Sequence, residues 1–529
     1  MKMKKLTLVI TILAAIGISS CKKGWLDESK NPNASVSTTL AASLTSSEKG
    51  ASDIVNGWGS YTGQTWIYSP YAIWGGYWIQ NPSGYIQDAV FTQYSIQTTT
   101  AGFPWSDLYE NLSNLHILEI NSKTATPNAN YHAISLVLEA YDFEQLVDNY
   151  NNVPYSQAFE GINNLTPAYD SGASIYANLI LKMDTAINLI NTNAAKSLPD
   201  VSPSSDDIVF QGNMTSWKKF ANTMKLRLII RQSNLSGFSA LKTELNSTFA
   251  EGYLDGTTQA TAQPGYALSD AYGGQESPFF LCYGERPNGS TTLYGFDYYL
   301  ANSFCVNLMN SLNDTSRLVK FYQTVDGSTN ADMVVGGTNG STNIPAEVSA
   351  IGPGLLNATA PSVLFSGAES LFLQAEAVND GMMAGTASTL YDAGITASFV
   401  ATGAESVQTP AVVVNGVIKT PAVYYTPTES AAIYYAQPSV ATVNEQNIIT
   451  QKYISLNGYG VFEAYNEIRR TGYPGIPRSV NIGALGSAGQ IPSIIFYPQI
   501  EYSTNPVNVG KQPAATVATE FNDKIFWAK

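Results

Sequence analysis

Residues 104–118, PWSDLYENLSNLHIL, decide the fold class of this chain. Apolar side chains recur there every three or four residues, at Trp105, Leu108, Leu112, Leu115 and Leu118. This spacing places them along one face of an α-helix, which can then pack against a partner. Similar stripes follow at 131–146, 175–190 and 217–228, with short loops between them. The sequence therefore predicts a mostly α-helical protein whose helices pack against their neighbours in the chain.

Outside these helices, the sequence predicts long loops and a few short hairpins. Residues 251–300 and 324–366 are rich in Gly, Asn, Ser and Thr, which is typical of extended loops. Valines flank Asn415-Gly416, the dipeptide that favours a type I′ hairpin turn. Thr426-Pro427-Thr428-Glu429 combines a capping box with Pro at the first helical position, so a helix begins there. No clean consensus repeat is present, so any relation to tetratricopeptide repeats is degenerate.

Residues 1–20 have the features of a secretory signal peptide. Early lysines are followed by an apolar run over 6–18 that is too short to span a bilayer, and then by Ser19-Ser20-Cys21. A cysteine at this junction is typical of bacterial lipoproteins, in which the thiol is lipidated and becomes the mature N-terminus. We expect acyl burial, at ~0.8 kcal/mol per CH₂, to hold Cys21 at a membrane. The alternative is plain secretion with an accidental cysteine.

The composition excludes several classes of protein. Only 13% of the 529 residues are charged, against ~25% in an average soluble protein. The net charge is −14, and removing residues 1–20 with their three lysines makes it −17. Nucleic-acid binding needs basic patches that displace counterions, so it is not expected here. A surface built from neutral polar residues suits an exported protein that handles neutral ligands.

The cysteines and histidines are few. Cys282 and Cys305 could form a disulfide in an oxidising compartment, and two buried thiols are the alternative. His116 and His132 are the only histidines, and neither has a ligand-type partner nearby in the sequence. The sequence therefore predicts no structural zinc, no histidine-based triad and no cofactor.

An aromatic segment at 54–102 holds the candidate ligand contacts. Asp88 is its only charged residue, and Trp and Tyr alternate there with Gly and Pro turns. Flat rings stack on the C–H face of a sugar, while amides and hydroxyls bond its hydroxyl groups. The alternative is that most of these rings close the core of a loop-rich region.

Within and beyond this segment we rank the candidate ligand-binding residues by residue type and setting. Trp74 and Trp78 come first, because Gly75-Gly76 between them permits a close approach of backbone and ligand. The remaining candidates combine rings, a cation and neighbouring glycines: Tyr71, Trp66, Tyr283, Arg286 and Tyr294.

Several stretches, in the right order along nearly the whole mature chain, resemble motifs of one family. Residues 148–158, DNYNNVPYSQA, resemble "D-x-Y-G-D-V-P-Y-x-x-A", with Asn151-Asn152 in place of Gly-Asp. Residues 217–228, WKKFANTMKLRL, resemble "W-x-K-F-A-N-x-L-K-L-R". Residues 369–377, 467–474 and 497–501 resemble "E-x-x-x-L-x-A-E-A", "E-x-R-R-T-G-Y-P" and "Y-P-x-x-E". The chain thus resembles the SusD/RagB family of surface nutrient-binding lipoproteins, in its SusD-like branch.

The resemblance implies a fold and a role. It implies a signal peptide at 1–20 and one large, mostly α-helical domain at 21–529, with four tetratricopeptide-like helix pairs as scaffold and a loop-rich remainder carrying the ligand contacts. It also implies an outer-membrane anchor facing the cell exterior, and the acidic stretch after Cys21 resembles the signal for that location. The implied partner is a SusC-like TonB-dependent transporter.

The matching motifs are structural in the family, and physical chemistry agrees for their arginines. A guanidinium offers five donors in a fixed fork. We therefore predict that Arg227, Arg469 and Arg470 join helices by bonding carboxylates such as Glu369 or Glu376.

The aromatic segment and the resemblance together predict a non-enzymatic lipoprotein that binds an oligosaccharide or another small nutrient and delivers it to the transporter. Two alternatives stay open: a secreted glycan-degrading enzyme, and a helical-repeat scaffold that binds only proteins. A glycosidase needs two carboxylates at a defined separation, and no motif in the sequence places such a pair. No catalytic residue is predicted.

Overall fold

The computed structural model describes residues 38–57, 69–82, 89–94, 96–99, 102–248, 251–269, 274–290, 298–414, 417–481, 491–512 and 523–529. The predicted signal and Cys21 lie outside these ranges, as do Trp66 and Tyr294. Residues Leu40–Lys529 form one compact unit. In the described ranges, no helix is both long and apolar enough to cross a membrane.

Helices dominate the described structure, as predicted from residues 104–118. They are α1 (Leu40–Val55), α2 (Ser69–Trp74), α3 (Ala89–Thr92), α4 (Gly102–Ile120), α5 (Ala129–Tyr150), α6 (Gly172–Ala194), α7 (Met214–Arg231), α8 (Phe238–Thr248), α9 (Pro278–Tyr283), α10 (Ser303–Ser311), α11 (Thr315–Phe321), α12 (Gly367–Asn379), α13 (Ala387–Thr402), α14 (Pro427–Tyr435), α15 (Glu445–Ser455), α16 (Val461–Thr471), α17 (Gln499–Thr504) and α18 (Pro506–Val509). A π-helical turn, Asn121–Ala125, extends α4. The predicted fold class is confirmed.

The strands are short and pair only as antiparallel ribbons. They are β1 (Trp78–Gln80), β2 (Val153–Pro154), β3 (Tyr169–Asp170), β4 (Ala260–Ala262), β5 (Tyr299–Ala301), β6 (Ser362–Phe365), β7 (Val407–Thr409), β8 (Val412–Val414), β9 (Val417–Thr420) and β10 (Val423–Tyr424). The pairs are β1–β5, β2–β3, β4–β6, β7–β10 and β8–β9. The hairpin predicted around residues 415–416 is confirmed by the pairing of β8 with β9.

Consecutive helices form the scaffold. The helices α4 to α7 each pack against the next, and the stripe of α4 is fully buried at Leu108, Leu112, Leu115 and Leu118. Side chains close the helix starts: Ser171 accepts a bond from the Ser174 amide at α6, and Thr426 forms the predicted capping box at α14. The helices α12 to α15 enclose a second apolar cluster that includes Phe372, Phe399 and Tyr434.

A buried ion network ties these helices together. Its members are Glu144 and Asp148 on α5, Arg227 and Arg231 on α7, Glu369 and Glu376 on α12, Lys452 on α15, and Glu463, Glu467 and Arg470 on α16. Arg227 Nη1 lies 3.0 Å from Glu369 Oε1, and Arg470 Nη1 lies 2.7 Å from Glu376 Oε1. The prediction for these two arginines is therefore confirmed.

Arg469 also joins elements, although through backbone carbonyls. Its Nη1 donates to Ser493 O at 2.8 Å and its Nη2 donates to Asp148 O at 2.7 Å. Six of the chain's motif residues, Asp148, Arg227, Glu369, Glu376, Glu467 and Arg470, thus belong to one buried network. Because an unpaired charge in an apolar interior is costly, the network requires these residue types at these positions.

Asp142 offers a test of how burial affects stability. Its Oδ2 accepts a bond from Asn111 Nδ2 at 2.7 Å, while its Oδ1 has no partner among the described residues. Burial raises the pKa of Asp142 to about 7, despite the bond from Asn111. The folded protein thus holds the proton more tightly than the unfolded chain, so the stability from this group is full below about pH 4 and is lost as the pH rises through about 7.

For Asp142→Asn, we expect the free energy of unfolding to depend less on pH than that of the wild type. Between about pH 5 and pH 8, the difference in unfolding free energy between variant and wild type should shift by roughly 3 kcal/mol in favour of the variant, since the asparagine never ionises. Urea denaturation at several pH values measures this difference. The exposed Asp380→Asn variant is the control and should track the wild type. A constant offset between Asp142→Asn and the wild type would contradict the assignment.

Candidate functional site

A small β platform includes one strand, β1, of the aromatic segment. In it, β1 pairs with β5, so that Trp78 faces Ala301 and Ile79 faces Leu300. The platform continues sideways, because the Ala301 amide donates to Ser349 O at 2.7 Å and the Gln323 amide donates to Ala350 O at 3.0 Å. Four extended segments therefore lie side by side. Side chains that follow one another on a strand point to opposite faces, so Trp78 and Ile79 lie on different sides of the platform.

The inner face of the platform belongs to the core. The Trp78 ring stacks on Tyr299 at 5.5 Å between centroids and meets the edge of Tyr283 at 5.1 Å. Trp74 is equally covered, and its Nε1 donates to Phe91 O at 3.1 Å. The relative exposure of Trp78, Trp74 and Tyr283 is 0%, 2% and 0%.

The other described candidates are also buried. Tyr71 is 1% exposed and donates its hydroxyl to Asn149, and Arg286 is 4% exposed with its Nε 3.3 Å from Glu276 Oε1. The structure thus assigns Tyr71, Trp74, Trp78, Tyr283 and Arg286 to the core, which corrects their ranking as ligand contacts. Contact by Trp66 and Tyr294 stays a prediction outside the described residues.

Gly76 was predicted to permit the close approach of a ligand, and the structure gives it another role. Its φ is +72°, a conformation that side chains rarely adopt, and it lies in the turn between α2 and β1. A Cβ there would come within 3.0 Å of Ile476 and 3.1 Å of Phe304. The glycine therefore serves a tight turn against the core and not the approach of a ligand.

The outer face of the platform is open. It forms the floor of a cavity of about 690 Å³, with Leu300, Ile344, Val348 and Ala350 as its apolar base. Neutral polar side chains surround this base, notably Asn81, Gln323, Thr324 and Thr342, and Glu347 adds one carboxylate. An apolar base with a few polar groups is the usual build of a small-molecule site.

A second cavity, of about 1030 Å³, adjoins the first and shares Gln323 and Thr324 with it. Its other walls come from α11, from residues 327–332 and from residues 405–407. Tyr424 on β10 also lines it and is 46% exposed, the one strongly exposed aromatic ring in the described ranges. We call the two cavities together the Gln323 groove.

The groove is suited to a neutral, hydroxyl-rich ligand. The Gln323 side chain has no hydrogen-bond partner among the described residues, so its amide is available as both donor and acceptor. The exposed Tyr424 ring supplies a flat face for stacking. Charged groups are few and of both signs, with Lys320, Asp332 and Glu405 in the second cavity.

The sequence analysis did not identify Gln323 or Tyr424 as candidate ligand contacts. Gln323 immediately precedes residues 324–366, which the composition marks as a long loop, and Tyr424 follows the hairpin predicted from residues 415–416. Gln323 stands beside a predicted long loop and Tyr424 beside a predicted hairpin, whereas the predicted ligand contacts lie in aromatic-rich stretches.

The thiols and histidines can now be placed. Cys282 and Cys305 are free and buried, so the two-thiol alternative holds. Burial raises the pKa of Cys305 to about 12, which keeps this thiol protonated. The prediction that His116 and His132 lack a ligand-type partner is wrong, because both imidazoles lie within 4 Å of Glu119.

The chain belongs to the SusD-like family, described as "Starch-binding associating with outer membrane", which matches residues 51–498. The predicted family is therefore confirmed. No curated protein matches the sequence significantly.

Solved structures share the fold at low sequence identity. A chitin-binding protein aligns with a TM-score of 0.70 at 20% identity, covering 93% of this chain and 100% of that one. A SusD/RagB family protein from Bacteroides thetaiotaomicron aligns with a TM-score of 0.70 at 19% identity, covering 93% and 99%. A SusD homologue from Bacteroides fragilis aligns with a TM-score of 0.69 at 20% identity, also covering 93% and 99%.

Proposed function

We propose that this protein is a non-enzymatic, surface-exposed lipoprotein that binds an oligosaccharide in the Gln323 groove and delivers it to a SusC-like TonB-dependent transporter. The observation that carries the proposal is the groove itself. It joins an apolar floor, an unpartnered amide and an exposed aromatic ring in two adjoining cavities of about 690 and 1030 Å³.

The size and chemistry of the groove support a carbohydrate of several units. Ligand pockets for one small molecule occupy ~300–1,000 Å³, so two joined cavities accommodate a longer chain. Stacking on Tyr424 and hydrogen bonds from Gln323 and Thr342 hold neutral sugars without a buried charge. Such contacts are weak enough individually to permit release to a transporter.

The family supports the location and the role. Its description names starch binding and association with the outer membrane, and one structural relative is a chitin-binding protein. Starch and chitin fragments therefore head the panel of ligands to test. Lipidation of Cys21 attaches the chain to the outer membrane, and the protein then covers its transporter on the cell exterior.

We expect Tyr424→Ala to weaken glycan binding by about ten-fold, since loss of one stacking ring costs on the order of 1 kcal/mol. Gln323→Ala should have a similar effect through lost hydrogen bonds. Isothermal titration calorimetry across a panel of glycans measures both. Val423→Ala is the matched control, because Val423 is exposed on the same strand without lining either cavity. Equal affinity in Tyr424→Ala and the wild type would remove the groove from the proposal.

Two further measurements separate the alternatives. Products released during incubation with the bound glycan would identify a glycan-degrading enzyme, with Asp332 and Glu405 as the first carboxylates to replace. Failure to bind any glycan, together with stable protein partners, would identify a protein-binding scaffold. Copurification of a TonB-dependent transporter from outer membranes would support the delivery role.

A further inference from the structure

The chain's only two histidines lie in one cluster at the junction of α4 and α5. His116 and Glu119 are one turn apart on α4, while His132 and Glu139 lie on the facing α5. Glu119 stands between the two imidazoles: its Oε2 is 3.9 Å from His116 Nδ1, and its Oε1 is 3.8 Å from His132 Nε2. One ligand atom each from His116, Glu119 and Glu139 lie within 4.8 Å of one another.

These separations fit ligands around a common ion better than hydrogen bonds. A hydrogen bond from an imidazole to a carboxylate spans about 2.7–3.2 Å, which is shorter than either distance. Two ligands that each lie about 2.1 Å from a zinc ion are about 3.4 Å apart at the tetrahedral angle, and further apart at wider angles. The separation of 3.9 Å between His116 Nδ1 and Glu119 Oε2 is therefore one that a shared ion can span.

A buried carboxylate oxygen of Glu139 provides independent support for the site. Glu139 is 3% exposed, and its Oε1 has no hydrogen-bond partner among the described residues. Its Oε2 is held by Lys182, and one carboxylate oxygen of Glu139 lies within 4.8 Å of the His116 and Glu119 ligand atoms. Lys182 balances one of the two neighbouring carboxylates, and a cation or a proton can balance the other.

We propose that His116, Glu119 and Glu139 form a binding site for a divalent transition-metal ion, with Zn²⁺ as the fitting ion. One imidazole nitrogen and two carboxylate oxygens are ligand types that zinc accepts, and a water molecule completes a tetrahedral set. The Phe159 ring covers one face of His116 at 5.2 Å, while the 32% exposure of the His116 side chain leaves a path for the ion. Bound there, the ion joins α4 to α5.

The test uses the purified full chain in detergent, stripped of metal by a chelator. Titration with Zn²⁺, followed by calorimetry, should show one ion per chain and a rise in the temperature of thermal unfolding. Co²⁺ should give the visible absorption bands of a tetrahedral site. Glu119→Gln should weaken Zn²⁺ binding by at least about ten-fold, and His116→Asn should do the same. Glu110→Gln, an exposed carboxylate on the same helix, should bind like the wild type.

Circular dichroism of the metal-free variants shows whether they fold; if Glu119→Gln does not, His116→Asn decides the question. The proposal is overturned if the wild type binds no Zn²⁺ stoichiometrically. It is also overturned if both folded variants bind Zn²⁺ as the wild type does, or if Glu110→Gln loses binding equally. Glycan binding is not part of this test, so its outcome is independent of the proposed function.

Discussion

Replacing Cys21 with serine is expected to move the protein from the membrane fraction to the soluble fraction. A serine cannot form the thioether that carries the lipid, so the acyl chains are never attached. Each buried CH₂ contributes ~0.8 kcal/mol to membrane binding, and the loss of whole chains leaves no comparable anchor. In the described part of the chain, no helix long and apolar enough to span a bilayer replaces it.

Fractionation of cells, with metabolic labelling by a fatty acid, measures this effect. The wild type should be labelled and sediment with outer membranes, whereas Cys21→Ser should be unlabelled. Ser20→Ala is the matched control, since it keeps a small residue next to the junction. If Cys21→Ser sediments with membranes as fully as the wild type, the anchor proposal fails and plain secretion or another attachment replaces it.

The second large effect is expected from Arg231→Met, which removes the centre of the buried ion network. The Arg231 guanidinium is fully buried and bonds Asp148 on α5 and Glu463 on α16. Burial alone raises the pKa of Glu463, but Arg231 and Lys452 outweigh it and hold the pKa below the ordinary value. Without the arginine, Asp148 and Glu463 are left buried with less compensation. Breaking such a network costs about 3–5 kcal/mol of unfolding free energy.

Urea denaturation followed by circular dichroism measures the loss. Lys196→Met is the matched control, because the Lys196–Asp200 pair is largely solvent-exposed and such pairs contribute at most about 1 kcal/mol. A double variant, Arg231→Met with Glu463→Gln, should recover part of the stability by removing one of the two carboxylates that Arg231 pairs with in the wild type. Equal stability of Arg231→Met and Lys196→Met would show that the network contributes little.

The helical scaffold was predictable because its signals are local. The spacing of Leu108, Leu112 and Leu115 and the capping box at Thr426 each indicate one outcome, and the structure agrees with both. A helix stripe or capping box is complete within a few residues. Its meaning therefore does not depend on how the rest of the chain folds.

The groove was not predictable because its parts are distant in sequence. Asn81, Gln323, Ile344 and Tyr424 meet only after the strand segments pair. The face on which Trp78 lies depends on the register of β1, and a shift of one residue would exchange Trp78 with Ile79. Residue type favoured the tryptophan for ligand contact, whereas the pairing directs it into the core.

The histidine cluster shows the same dependence on packing. His116 and His132 are separated by a π-helical turn and a loop, so sequence spacing alone does not reveal that Glu119 lies between them. Only the antiparallel arrangement of α4 and α5 brings the four side chains together.

The separation between the ion network and the Gln323 groove has an evolutionary consequence. The network occupies the long helices, whereas the groove is lined largely by residues 323–350 and by the β7–β10 ribbon. If the groove binds the ligand as proposed, substitutions in those connecting segments change ligand preference without disturbing the architecture. Divergence to about 20% identity with structural relatives is then compatible with a retained fold. Diversification towards new nutrients would proceed by remodelling a few exposed positions while the helical frame stays constant.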